Sequence, residues 1–389
     1  MFGRSFNLFR LFGFQVRADA SWLLIAFLVT WSLATGLFPF VYEGLSSRTY
    51  WLMGVLGAIG LFASIVAHEL SHSLVSRQYG MPIKGITLFV FGGVAEMDEE
   101  PPRPAAEFWM AIAGPIASVL VAAGMSFLAL VGRRYAWPLW LNGTLGYLGG
   151  INLLLAAFNM VPAFPLDGGR VLRSALWHWK ASLKWATRVT SSIGSGFGLL
   201  LIIMGVLSFV GGNFIGGMWW FLIGMFLRNA ARTSYQQLVV RRALEGEPVR
   251  RFMQREVHSV PPETTLSEFV EDYVYRHHHK LFPVVENGRL RGCMSTRRLK
   301  QVPREQWATR TVGDVLEPCS EDNAAPPDAD AMKTLVSMSR NGTSRLMVID
   351  DGRLQGILSL KDLMRFISLK LEIEEDVKGR VEAMPGPGG

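Results

Sequence analysis

The distribution of apolar residues constrains this 389-residue chain more than any other feature. Half of the residues are hydrophobic, and they are concentrated before about residue 230, in windows long enough to cross hydrocarbon. Beyond that point the sequence turns charged and reads as a water-soluble protein. In lipid every backbone N–H and C=O has to be paired within the chain. The first part is therefore confined to helices, with any other backbone enclosed by protein or lining a wet cavity. Candidate spans lie near 21–40, 51–76, 106–132, 144–165, 189–210 and 214–231. The predicted fold class is a multi-pass α-helical membrane domain of about six transmembrane helices, followed by a soluble α/β part.

Charge gives an orientation. Arg4, Arg10 and Arg17 precede the first span, and Arg77 and Lys84 follow the second. Arg170, Arg173, Lys180, Lys184 and Arg188 follow the fourth, and Arg228, Arg232, Arg241 and Arg242 close the sixth. Basic loops mark the cytoplasmic side, so both termini and the soluble part are expected in the cytoplasm. The pair Arg133-Arg134 is the exception. The run 21–40 is long and ends at Phe38-Pro39-Phe40, without a small-residue cleavage site, so it reads as a retained helix of a cell-membrane protein. The formal charge of +7 lies largely beside the spans and is no argument for nucleic acid. Cys293 and Cys319 are the only cysteines, too few for a disulfide framework or a Cys-based zinc site.

His68-Glu69-Leu70-Ser71-His72 interrupts the second apolar run. Two imidazoles and a carboxylate at membrane depth are costly to desolvate, so the default reading is a functional site. On a helix, positions i and i+4 share a face, so His68 and His72 grip one metal ion. Glu69 is placed beside them to take a proton from a metal-bound water. The spacing implies a zinc hydrolase working within a bilayer.

A catalytic zinc site ordinarily has three protein ligands and one open position. The best candidate for the third lies between Asn159 and Arg170. Pro162 and Pro165 are expected to stop the fourth hydrophobic helix and force an extended stretch. Asp167 follows, with Gly168 and Gly169 behind it. It reads as a metal ligand or as the cap of a helix starting at Val171, and the two roles are compatible. Asn159 reads as a donor to a developing oxyanion or a substrate backbone, or as a helix-end cap. The segment from Gly85 to Met97 is β-prone with a Gly-Gly break, too short to span. A re-entrant or interfacial hairpin suits it, and a surface hairpin covering the helices fits equally. An unpaired edge there would accept an extended substrate strand.

His68-Glu69-Leu70-Ser71-His72 together with Asn159, Pro162 and Pro165-Leu166-Asp167-Gly168-Gly169 resembles the paired motifs of the site-2 protease family of intramembrane zinc metalloproteases. Phe91-Gly92-Gly93-Val94 resembles that family's glycine-containing hairpin. The resemblance spans most of residues 1–230. It implies one zinc per chain held by His68, His72 and Asp167, with Glu69 as general base. Asn159 is carried as a second catalytic residue, and Phe91, Gly92, Gly93 and Val94 as the substrate-binding segment. It also implies cleavage of transmembrane segments of single-pass, membrane-anchored regulatory proteins. A transporter would not need these side chains to meet at one metal, and the intact ligand set argues against an inactive membrane chaperone.

The soluble half is a repeat. Residues 282–299 and 345–363 each read as a strand, a turn at Asn287-Gly288 or Asp351-Gly352, a second strand, then a serine and a helix. Helical stretches precede them near 265–277 and 329–340. The pattern resembles a tandem pair of CBS domains, a Bateman module, over about 250–370. That resemblance implies an adenine nucleotide, ATP or AMP, in the cleft between repeats, and a homodimer through the module. Ser359 and Asp362 match the family's phosphate and ribose positions. The first repeat has Ser295 but Arg298 where the aspartate would stand. His277-His278-His279 reads as a solvated basic patch, since consecutive residues do not converge on one ion. The expected organisation is a membrane metalloprotease domain over 1–235, a linker over 236–249, CBS domains over 250–310 and 311–372, and a flexible tail over 373–389.

Overall fold

The structure is a computed structural model that describes residues 5–81, 83–89, 92–97 and 100–370. It divides into two compact units, Met1–Gln236 and Gln237–Gly389. The tail expected over 373–389 lies outside the described residues.

Among the described residues, five helices are long and apolar enough to cross a membrane: α1 (Ala20–Val41), α2 (Ser47–Gln78), α3 (Pro104–Arg134), α4 (Leu139–Asn159) and α6 (Leu183–Val210). Between α4 and α6 lies the amphipathic α5 (Asp167–Lys180). The sixth expected span begins α7 (Phe214–Leu244), but its apolar stretch gives out at Arg228. The stretch expected as a linker over 236–249 is helical through Leu244. Asp19 caps α1 by accepting from the Ser21 N–H, and Ser46 caps α2 by accepting from Thr49.

The membrane unit also carries a four-stranded sheet, in the order β1 (Ser5–Leu11), β2 (Phe14–Asp19), β3 (Ile83–Phe89), β4 (Gly92–Met97). β2 and β3 run parallel, while the other neighbours are antiparallel. The expected hairpin over 85–97 is thus present, as half of a larger sheet. The other half, β1 and β2, is formed by the basic lead into α1. Phe14, Val16 and Ala18 alternate inward, the period-two pattern of a half-buried strand. Phe14 packs on Leu70, and Val16 with Leu88 packs on Val66. The sheet therefore rests on the stretch of α2 that carries the two histidines.

The second unit is built twice over. β5 (Leu281–Glu286) pairs with β6 (Arg289–Ser295), and β8 (Arg345–Asp350) with β9 (Arg353–Ser359) and the short parallel β7 (Ala324–Ala325). Register is the same in both hairpins, including an irregularity after Val284 in one and after Val348 in the other. Both turns place two residues at positive φ, Asn287-Gly288 and Asp351-Gly352. This is the two-residue hairpin geometry that the sequence implied. Helix α8 (Ala331–Asn341) packs in the second repeat, with Leu335 and Met338 in its core. Ala243 and Leu244, the end of α7, lie in that same core.

Candidate active site

His68 and His72 lie one turn apart on α2, with Nε2 atoms 3.1 Å from each other and both rings buried. Asp167 comes from far along the chain, as the first residue of α5. Its Oδ2 lies 3.0 Å from His68 Nε2 and 3.3 Å from His72 Nε2. The helix begins at Asp167, with Leu166 in the cap position and no side chain capping it, so Asp167 is not its cap. The stretch before it is not extended. α4 ends at Asn159, ahead of both prolines, and residues 160–166 turn tightly, with Leu166 N–H donating to Ala163.

Three donor atoms 3.0–3.3 Å apart match the edge of a tetrahedron around an ion bound at zinc–nitrogen distance, about 3.3 Å. The remaining ring nitrogens are engaged as metal-binding imidazoles require. His72 Nδ1 donates to the Met110 carbonyl at 2.6 Å, and His68 Nδ1 pairs with Ser118 Oγ at 2.9 Å. With Nδ1 protonated, each Nε2 presents a lone pair to the shared space. Gly114 keeps that space open. A Cβ built on it would stand 2.2 Å from His72 Nε2 and 2.6 Å from His68 Nε2. The residues present fit a zinc ion. Among the described residues, His68, His72 and Asp167 form the group of His, Cys, Asp and Glu side chains close enough to share one metal.

Glu69 adjoins His68 on α2, within reach of the charges of Asp167 and Arg170. Asn159 ends α4, half-buried. Gly92, Gly93 and Val94 lie on β4, backbone-paired to Phe89, Leu88 and Thr87. β4 is the last strand in the sheet order. Phe91 lies outside the described residues.

Met110, Gly114 and Ser118, all on one face of α3, were missed in the sequence, and so was Asn152. Asn152 is fully buried on α4 and donates to Ser64 Oγ, one turn before His68. A serine and an asparagine inside apolar helices are the signals that point to such partners.

In the second unit a cavity of about 640 Å³ is lined by Gln254, His258, Lys280, Arg345, Ser359 and Asp362, among others. Asp362 accepts from Gln254 Nε2 at 2.9 Å, pairs with the Ser359 hydroxyl, and donates its N–H to it. Ser295 likewise caps a short helix, accepting from the Arg298 N–H, and lies 3.4 Å from Glu317. Arg298 is spent on the Val315 carbonyl and Gln301. The histidine triplet does not act alone: the His258 ring, from a different segment, stacks on His277 with centroids 3.8 Å apart.

Helices long enough to cross a membrane, with a His-His-Asp donor set of two buried histidines and a half-buried aspartate, and a glutamate beside the first histidine, define an intramembrane zinc metalloprotease. Comparison with known proteins agrees. The Peptidase family M50 profile matches residues 56–137 and 135–204, and the CBS domain profile matches residues 249–304 and 312–369. The chain is 34% identical over 362 residues to Rip3 of Mycobacterium tuberculosis, covering 92% of both chains. It is 31% identical over 376 residues to zinc metalloprotease MJ0392 of Methanocaldococcus jannaschii, covering 96% of this chain and 99% of that one. Among solved structures, the site-2 protease from M. jannaschii aligns with a TM-score of 0.42 at 29% identity, over 59% of this chain and 94% of that one. The chain belongs to Peptidase family M50, the site-2 proteases, and carries two C-terminal CBS domains. It is a multi-pass membrane protein.

Proposed function

We propose that this metalloprotease cleaves peptide bonds inside transmembrane segments of membrane-anchored regulatory proteins. The observation that carries the reading is the convergence of His68, His72 and Asp167 from two helices onto one point. These three hold the zinc. When bound, zinc supplies a Lewis acid that polarises the scissile carbonyl and makes water a nucleophile near neutral pH. Glu69 takes the proton of the attacking water and delivers it to the leaving amine nitrogen. Asn159 donates to the substrate backbone or to the charge building on the carbonyl oxygen.

A peptide bond within a helix is hydrogen-bonded and hindered, so the substrate unwinds before attack. The outer edge of β4, at Gly92, Gly93 and Val94, pairs with the unwound strand, and Phe91 belongs to the same segment. Its position at the end of the sheet order supports this. Helix-destabilising residues near the cut site are expected to favour cleavage.

The membrane protease domain runs over 1–235 and the CBS domains over 250–310 and 311–372. Both termini and the CBS pair face the cytoplasm, as the basic loops imply. His68 and His72 lie about 9–15 Å along α2 from its C-terminal end, so the chemistry takes place nearer the cytoplasmic surface. The CBS pair takes an adenine nucleotide, ATP or AMP, in the cavity beside Ser359 and Asp362, and its cationic lining (Lys280, Arg345, Lys361) suits phosphate. Ser295 marks the equivalent position of the first repeat. The module pairs with a second copy and tunes activity.

The test is cleavage and zinc content of wild type against Glu69→Gln. Loss of cleavage with zinc retained supports the assignment, and undiminished cleavage removes Glu69 from it. Membrane-anchored fragments accumulating in cells that carry Glu69→Gln would identify the substrate.

A further inference from the structure

Glu107 and Arg173 are both withdrawn from solvent within the membrane unit, at 0% and 4% exposure. Arg173 Nε and Nη2 each lie 2.5 Å from Glu107 Oε1. Arg173 Nη1 reaches Thr187 Oγ1 on α6 at 3.4 Å, and its Nη2 lies 3.4 Å from Glu100. The guanidinium also sits over the Phe164 ring, 5.1 Å from its centroid, in the tight turn that delivers Asp167. One side chain on α5 thus joins α3, α6 and the turn before the carboxylate donor.

Its partner's position matters more. Glu107, Met110, Gly114 and Ser118 are spaced i, i+3, i+7 and i+11 on α3, so they share a face. Three of these four already serve the histidines, by accepting from His72, making room for both Nε2 atoms and pairing with His68. The fourth holds the helix of Asp167. The spacings agree. Glu107 to Gly114 is about 10.5 Å along α3, and Arg173 to Asp167 is about 9 Å along α5. α5 is therefore tied at both ends of a matched interval, directly to α3 by the ion pair at one end and, at the other, through the histidines that Met110 and Ser118 hold.

We propose that Arg173 and Glu107 are positioning residues of the metal site: their ion pair fixes the register of α5 against α3, so that Asp167 Oδ2 meets His68 and His72. The inference rests on reading these three as the zinc donors. An apolar pair in the same place would bury as well but would tolerate a slide, whereas two N–H groups closing on one oxygen do not. Replacing a buried ion pair with well-packed apolar residues commonly leaves stability intact, and this separates register from stability.

The experiment compares wild type with the double variant Glu107→Leu, Arg173→Met and the single variant Arg173→Lys, as full-length protein in detergent. Each is titrated with Co²⁺ against a chelator, its visible ligand-field spectrum is recorded, and its thermal unfolding is measured. The double variant is expected to unfold near the wild-type temperature, yet to bind Co²⁺ roughly 10–100-fold more weakly with an altered spectrum. Arg173→Lys, which keeps the cation, is expected to recover part of the affinity. Wild-type affinity and spectrum in the double variant overturn the proposal. If the double variant does not fold, Arg173→Lys decides alone, and an unchanged spectrum and affinity overturn it too. Wild type that takes up no cobalt overturns the donor assignment itself, an outcome distinct from variants that match it.

Discussion

His72 Nδ1 donates to the main-chain carbonyl of Met110 at 2.6 Å, which couples a metal-binding ring on α2 to the backbone of α3. Four residues further along α3, Gly114 faces both Nε2 atoms. Gly114→Ala is therefore expected to act on the metal and not on the helix. Alanine is favoured over glycine in a helix interior by about 1 kcal/mol, but its Cβ would enter the space between the donors. Zinc per chain should fall by roughly an order of magnitude or more, with helicity retained. Elemental analysis beside far-ultraviolet circular dichroism checks both halves. Full zinc content in the variant means that the space is not where the ion sits.

Ser118 is a subtler test of the same site. Removing its hydroxyl leaves His68 Nδ1 without its 2.9 Å partner and frees the ring to rotate or change tautomer. Ser118→Ala should weaken zinc binding by about 10–100-fold and leave His72, Asp167 and the general base Glu69 in place. A chelator competition measures it, and a wild-type constant would assign Ser118 to helix packing alone.

The donor set and the glutamate beside it were legible because these residues are chemically improbable where they stand. His68, Glu69, His72 and Asp167 all interrupt apolar sequence, and helical spacing joins the histidines. The repeat was legible because Asn287-Gly288 and Asp351-Gly352 are turn residues with a backbone requirement. The strands over 5–19 were not, because three arginines drew them into the charge pattern and their inward alternation is only three residues long. The tight turn over 160–166 was misread because proline tells where a helix ends and not how the chain leaves it. Glu107 was within reach: a carboxylate opening an apolar helix needs a partner, but nothing in the sequence says that the partner is Arg173.

The two hairpin turns give a direct stability test of the soluble unit. Gly352 has φ of 74° and Gly288 of 76°, in the left-handed region. Alanine at either site should cost about 1–2 kcal/mol, since a Cβ in that region crowds the following carbonyl. Denaturant unfolding of the module reads this. Each substitution should lower the midpoint by a similar amount because the two hairpins share one register.

Partial burial and the stacked His258 ring hold His277 below the ordinary histidine value of about 6.5, with Arg276 and His278 adding to the effect. Partial burial and the Arg345 guanidinium, with the neighbouring histidines, do the same for His279. A lowered value in the folded state means that the unfolded chain binds these protons more readily. Stability is then full above the unfolded value and is lost as pH falls from about 6.5 through the folded values. The thermal midpoint of the module should fall as the pH is lowered below about 6.5. His277→Gln with His279→Gln should flatten that dependence, and an equally steep slope in the double variant would place its origin elsewhere.

The two repeats make opposite predictions for nucleotide binding. Asp362 and Ser359 line the 640 Å³ cavity, and Asp362 is oriented by Gln254 and by its own capping serine. Ser295 is occupied as a helix cap and Arg298 by neighbouring carbonyls. Asp362→Ala removes a charged acceptor of the kind a ribose hydroxyl pairs with, a contact worth about 1.5–3 kcal/mol. Affinity for ATP or AMP should fall by roughly 10–100-fold. Ser295→Ala should leave it within about threefold, because Ser295 is not among the residues that line that cavity. Calorimetric titration of the purified protein separates the cases. Loss with Ser295→Ala and not with Asp362→Ala would move the nucleotide to the first repeat, where an arginine, not an aspartate, would then have to meet the sugar.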